Sequence, residues 1–144
     1  MKTPTAVLMV EDNRGDVVLM QEAIKNAGLP SYHLTLVPDG VEALEFLRQQ
    51  GKYAGAARPE LIILDLKLPR KTGIEVLVEI ELDPALRGIP IVVLSSSTSE
   101  LAIARARRVP PYTCMVKPGT FDGYIELART IEAFRNTEPK DGVL

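Results

Sequence analysis

At 144 residues, 46% of them apolar, the chain has the size of one compact domain with a real core and no room for a second. Its 17 basic and 19 acidic residues leave a formal charge of −2, too weak a field to draw nucleic acid or an anionic membrane directly. The apolar runs fall short of the roughly 20 residues a bilayer span needs, Met1-Lys2-Thr3-Pro4 carries no signal-peptide core, and the cytoplasm is the expected location. A lone Cys114 excludes an internal disulfide, and a lone His33 leaves no basis for a zinc site or for Cys/His or Ser/His catalysis.

Short β-rich apolar runs alternate with amphipathic stretches, the pattern of parallel βαβ units. The first round is a strand over residues 6–10 and a helix over 16–27, closed by Gly28. The second is a strand over 33–37 and a helix over 40–50, with Val41, Leu44, Phe46 and Leu47 as its apolar stripe and Gly51 as its stop. A loop over 51–59 leads to a third strand, 61–64, and a helix over 73–82. The fourth round pairs a strand at 91–94 with a helix at 99–108, ended by Pro110, whose Arg105, Arg107 and Arg108 complement the helix dipole. The fifth pairs 113–116 with 121–136, and residues 138–144 read as a flexible C-terminal tail. Three of the strand runs are apolar throughout, as strands covered on both faces require. The expected fold is therefore α/β, a five-stranded parallel sheet sandwiched by five helices, with right-handed crossovers and a ligand site at the carboxyl ends of the strands.

Four of those strand ends carry chemistry: Glu11-Asp12, Asp65, Ser95 and Lys117. Carboxylates converging on one cleft repel one another unless a hard cation sits among them, and Mg²⁺ (or Mn²⁺) suits an oxygen donor set with room for water and phosphate. Asp12 and Asp65 are the expected direct ligands, Glu11 a ligand through water, and the backbone carbonyl of Lys67 a further oxygen. Asp65 is also the expected nucleophile, since a carboxylate can attack phosphorus to give an acyl phosphate. Lys117 would supply a cation and Ser95 a hydroxyl for the phosphoryl oxygens, because phosphoryl transfer is catalysed by position and charge. Taken singly, each has a bland alternative as a cap, a polar loop or a solvated charge, and their joint placement is what links them.

The segments Val10-Glu11-Asp12, Leu64-Asp65-Leu66-Lys67-Leu68-Pro69, Val93-Leu94-Ser95-Ser96 and Val116-Lys117-Pro118 resemble the receiver domain of two-component response regulators across essentially the whole chain. The resemblance implies a flavodoxin-like sheet of strand order 2-1-3-4-5 over residues 1–137, with no output domain. It implies that Asp65 is the phospho-acceptor for a sensor histidine kinase, Glu11 and Asp12 the acidic metal pair, Ser95 the hydroxyl switch and Lys117 the phosphoryl contact. Such a protein is a signalling phospho-acceptor rather than an enzyme acting on external substrates. Phosphorylation would alter the surface of the fourth helix, fifth strand and fifth helix, and the message would pass to a downstream protein not named by the sequence. The runs Val10 through Val17 and Asp65 through Gly73 look more narrowly like small regulators paired with phytochrome kinases. Members of that subgroup pair through their later helices, so a homodimer is expected with Ile131 and Phe134 as apolar anchors. Lys67, Ser96 and Ser97 would flank the hydrolytic water and set the phosphate's lifetime.

One position departs from the family pattern: Cys114 stands three before the lysine, where many receivers have an aromatic residue, and Tyr112 lies two residues earlier. Cys114 reads as a small buried apolar residue and His33 as structural. Two competing readings remain. A haloacid-dehalogenase-type phosphatase would need a second Asp two residues past the nucleophile, where this chain has Lys67; a pseudo-receiver scaffold would not need the intact acidic pair, acceptor, hydroxyl and lysine.

Overall fold

The computed structural model describes residues 4–29, 32–107 and 112–137. Five rounds of strand and helix follow one another: β1 (Thr5–Val10), α1 (Arg14–Asn26), β2 (Tyr32–Val37), α2 (Gly40–Leu47), β3 (Leu61–Asp65), α3 (Gly73–Leu82), β4 (Ile91–Ser95), α4 (Thr98–Arg107), β5 (Tyr112–Val116) and α5 (Phe121–Thr137). All strand pairs are parallel, and their order is β2-β1-β3-β4-β5, the expected one.

Alternation along each strand splits the core in two. Leu8, Val10, Ile62, Leu64, Ile91 and Val93 pack against α2, α3 and α4, while Val7, Met9, Leu61, Ile63, Val92 and Leu94 pack against α1 and α5. Both faces of the three central strands are thus covered, which is why their sequences are apolar without a break. The register aligns the carboxyl ends, with Val10 beside Val37 and Leu64, Asp65 beside Leu94, and Ser95 beside Val116. β3 and β4 each run one residue past the expected apolar segment, so Asp65 and Ser95 are the last residues of buried strands rather than the first of loops.

Local hydrogen bonds move other boundaries. α1 begins two residues before Asp16 because the Asn13 side chain caps it, accepting the Asp16 N–H at 2.9 Å. α2 ends at Leu47 instead of running to Gln50. Gln49 takes a left-handed φ of 55°, its N–H reaching Phe46 O and that of Gln50 reaching Glu45 O, so a glutamine holds the closing position where glycine was expected two residues later. The 51–59 connection contains a 3-10 turn, Gly51–Tyr53, whose Tyr53 ring meets Phe46 edge-on at 5.2 Å. Ile131, expected as an interface anchor, is 1% exposed and part of the core between the sheet, α1 and α5; Phe134 is half-buried against the same cluster. The apolar stripe of α5 is consumed inside the fold. The Pro110 stop, Arg108 and the 138–144 tail lie outside the described residues.

Two glycines let the β3–α3 connection pack tightly. A Cβ on Gly40 would lie 2.1 Å from Lys71 O, and one on Gly73 would lie 2.5 Å from Asp65 O and Leu66 Cα. Since those neighbours are backbone, neither position can relax by turning a side chain. Gly73 N–H also bonds Leu66 O at 3.0 Å, and Thr72 with Glu75 forms a reciprocal capping box that starts α3 at this point. Gly73→Ala is expected to lower stability by about 1–3 kcal/mol in urea unfolding, the range for overpacking; an unchanged midpoint would show that the Asp65 main chain has slack.

Candidate functional site

The ends of β1, β3 and β5 bring the three expected acidic groups and the lysine together. One carboxylate oxygen from each of Glu11, Asp12 and Asp65 lies within 4.8 Å of the others. Glu11 and Asp65 are buried, and Asp12 is exposed at the rim. Glu11 is held by its own N–H to Val37 O and by Asn13 N–H donating to Glu11 Oε2, both at 3.1 Å. Asp65 Oδ1 accepts the Lys67 N–H at 3.2 Å, so the chain turns back over the carboxylate as it leaves β3.

Lys117 reaches into this group from the end of β5. Its Nζ stands 2.8 Å from Glu11 Oε1, 2.9 Å from Asp16 Oδ2 and 3.1 Å from Asp65 Oδ2, on a side chain only 14% exposed. Burial alone would pull the ammonium's pKa down, but Glu11, Asp16 and Asp65 together outweigh it and hold it above the usual lysine range. For Glu11 burial dominates: desolvation, reinforced by the Asp65 charge and opposed by Lys117, pushes its carboxyl up to about 7. Glu11 Oε1 is fully buried and accepts no aligned hydrogen bond, with Lys117 as its ion-pair neighbour. A buried carboxylate oxygen with spare acceptor capacity, beside two further carboxylates in reach, is a donor set that fits a hard divalent cation.

Ser95 is 2% exposed, and its backbone oxygen accepts the Lys117 N–H at 2.9 Å, which ties the ends of β4 and β5. Its hydroxyl donates to Glu100 Oε1 at 2.8 Å and accepts the Ser97 N–H at 3.0 Å. Ser97 in turn caps α4, its Oγ accepting Glu100 N–H at 3.2 Å. Lys67, two residues past Asp65, and Ser96, next to Ser95, are exposed. Cys114 is half-buried against the core behind α4, where burial pushes its thiol up and Arg105 opposes the shift. His33 pairs with Ala6 at the opposite end of the strands from the acidic group.

Two residues at the site were not singled out by sequence reasoning. Asp16 contacts Lys117 from the first turn of α1; its trace in the sequence is a carboxylate one helical turn past the acidic pair. Glu100 holds the Ser95 hydroxyl; its trace is the Ser97-x-x-Glu100 spacing of a capping box, which the structure diverts onto Ser95.

A parallel sheet in this order, ending in an acidic cluster with a lysine and a hydroxyl at neighbouring strand ends, defines a class, and the chain belongs to the response regulator receiver domain family, matching it over residues 7–129. Response regulator Rcp1 of Synechocystis sp. is 37% identical over 131 residues, covering 91% of this chain and 88% of Rcp1. The phosphorylated cyanobacterial phytochrome response regulator RcpA superposes with a TM-score of 0.81 at 41% identity, over 94% of this chain and 96% of RcpA. The Mn²⁺-bound form of Rcp1 superposes with a TM-score of 0.79 at 36% identity, over 98% of both chains. Among the described residues, no helix is long and apolar enough to cross a membrane.

Binding of a cation to the folded state alone stabilises it, by about 2.7 kcal/mol at a hundred times the dissociation constant. Thermal unfolding in rising Mg²⁺ or Mn²⁺ is expected to show that increase, and Asp12→Asn to lose most of it. A midpoint that neither metal moves would mean the three carboxylates do not hold one.

Proposed function

We propose that this receiver accepts a phosphoryl group on Asp65 from the phosphohistidine of a sensor kinase, a phytochrome among the candidates, with Mg²⁺ or Mn²⁺ bound by Asp12, Asp65, the Lys67 carbonyl and, through water, Glu11. The observation that carries the reading is the buried Asp65 carboxylate at the end of β3, with Lys117 Nζ at 3.1 Å and two further carboxylates in reach of one cation. When bound, the metal neutralises charge on the transferring phosphoryl oxygens. An Asp65 oxygen attacks phosphorus as the P–N bond to the kinase imidazole breaks, and the imidazole leaves with the bonding pair. Lys117 then pairs with a phosphoryl oxygen, and Ser95 donates its hydroxyl to another.

That last step requires the Ser95 hydroxyl to give up its bond to Glu100, and because Ser95 Oγ also accepts the Ser97 N–H, phosphorylation is tied to the start of α4. The surface altered is that of α4, β5 and α5, where Ile103, Val116 and Phe121 are exposed at 56%, 52% and 37%. These residues, rather than Ile131, are the proposed apolar contacts for a downstream protein or a second copy in a homodimer. Of the three residues expected to set the phosphate's lifetime, Ser97 is engaged as a helix cap, while Lys67 and Ser96 are exposed and are kept as the candidates. We place the receiver unit through the end of α5 and the protein in the cytoplasm. The protein signals rather than turning over external substrates, since Lys67 occupies the place where an acid-base aspartate of a phosphatase would stand.

Intact-mass spectrometry after incubation with acetyl phosphate and Mg²⁺ tests the acceptor: wild type is expected to gain one phosphoryl mass, and Asp65→Asn or chelated protein none. No adduct on wild type, with acetyl phosphate or a phosphorylated kinase, would leave the scaffold reading. We place the kinase's approach on the α1 side of the site. A cleft beside Glu11 and Asp12 is lined by Val18 and Leu36, which are 54% and 41% exposed. Val18→Asp is expected to slow transfer from the kinase about tenfold while leaving acetyl phosphate labelling unchanged, the cost of one apolar contact residue at an interface; equal loss with both donors would put Val18 in the chemistry or the fold instead.

A further inference from the structure

Asp16 stands outside the acidic group that would take a metal, yet it touches the same lysine. Its Oδ2 is 2.9 Å from Lys117 Nζ, and its side chain is 25% exposed. Its main chain is fixed by the Asn13 cap at the start of α1. Behind it stands Tyr124 of α5, 2% exposed, whose phenol is pushed up to about 12, first by burial and then by the Asp16 charge. The carboxylate is therefore held on one side by a helix start and on the other by a packed ring, and it faces the ammonium from the α1 side.

The other two partners of Lys117 are Glu11 and Asp65, and both belong to the three-carboxylate group. Lysine and metal thus draw on two of the same carboxylates. A dication placed among Glu11, Asp12 and Asp65 would also repel an ammonium a few ångströms away, and at the low effective dielectric of a half-buried site that repulsion is strong. With no carboxylate beyond the metal's reach, Lys117 would either exclude the cation or swing out and lose its place beside Asp65. Asp16 is a carboxylate of that kind, already in contact.

We infer that Asp16 is a positioning residue that takes over the Lys117 ammonium when a divalent cation occupies Glu11, Asp12 and Asp65. The lysine then stays within reach of the Asp65 oxygen that would carry a phosphoryl group, and the metal meets carboxylates cleared of their competing cation. This inference rests on the receiver reading of the site.

The experiment is isothermal titration calorimetry of the full chain with Mg²⁺, and with Mn²⁺ as a second probe. The variants are Asp16→Asn, Asp16→Glu, Lys117→Met and the double variant Asp16→Asn with Lys117→Met. Asp16→Asn is expected to weaken metal binding about tenfold, because the lysine stays on Glu11 and Asp65, and Asp16→Glu to restore wild-type affinity to within about threefold. Lys117→Met is expected to bind metal more tightly than wild type, and adding Asp16→Asn to it to cost no more than about threefold, since only a distant charge is then removed. An equal loss from Asp16→Asn in both backgrounds would overturn the inference, reducing Asp16 to a through-space charge, and so would no loss in the wild-type background. Should Asp16→Asn fail to fold by circular dichroism, the Asp16→Glu and Lys117→Met titrations decide. A longer carboxylate that binds metal tenfold more weakly than wild type, or a lysine-free protein no tighter than wild type, would overturn it. If wild type itself takes neither metal, the receiver reading falls with it, an outcome distinct from failure of the Asp16 assignment alone.

Discussion

The ammonium of Lys117 makes the carboxyl end of this sheet physically tolerable. Glu11 and Asp65 are buried side by side, and burying unpaired carboxylates is among the most costly things a fold can do. The lysine answers both, along with Asp16, and the shifts of the groups mirror this: Lys117 is driven up by its partners, and Glu11 is driven up by burial that its partner only partly offsets. A site in that condition is unfinished. It carries more negative charge than its resident cation satisfies, which is the electrostatic state that favours entry of a divalent ion and, on the proposed reading, prepares the site for a phosphoryl group.

Everything beneath that cluster serves to hold it still. The three central strands are buried on both faces and end in register, so Glu11, Asp65, Ser95 and Lys117 issue from a surface with little freedom to drift. The β3–α3 connection is pressed in by Gly40 and Gly73, whose missing side chains let backbone meet backbone, Gly40 against Lys71 and Gly73 against Asp65 itself. Arg70 in the same connection adopts a left-handed φ of 64°, a conformation that costs a non-glycine residue about 1–2 kcal/mol and is retained here within a tightly packed turn. Rigidity of this order suits chemistry that proceeds by placement rather than by bond-making on the protein's part.

The sheet, its order and the alternation of helices were legible because burial on both faces writes itself as unbroken apolar runs, and helix punctuation is local. The site was legible for a related reason: in a parallel sheet the first polar residue after each run must fall at one edge. What failed was of two kinds. Helix boundaries went astray where a residue other than glycine set them, as the Asn13 side chain does at the start of α1 and the left-handed backbone of Gln49 at the end of α2. Roles went astray where they depend on which way a helix faces. Ile131 is apolar whether it meets α1 or a partner, and nothing in its sequence neighbourhood distinguishes the two. Asp16 and Glu100 likewise sit in first turns of helices, where acidic residues are common for dipole reasons alone, so only the fold reveals that one reaches Lys117 and the other Ser95.

The diverted cap of α4 has a consequence for how such a domain can be adjusted. Ser97 and Glu100 have the spacing to close the helix start on themselves, yet Ser95 is inserted between them, accepting the Ser97 N–H that Glu100 would otherwise take and donating a hydrogen bond to Glu100. The residues at the helix start therefore have the spacing for a second closure of similar chemistry, one without the strand-end serine, beside the one the structure shows. On the proposed reading, the resting bias of the domain is then a difference between two caps, a quantity on the scale of helix capping, about 1 kcal/mol. Background output could drift over evolution through substitutions in the first turn of one helix, while the acceptor, the metal ligands and the lysine stay untouched.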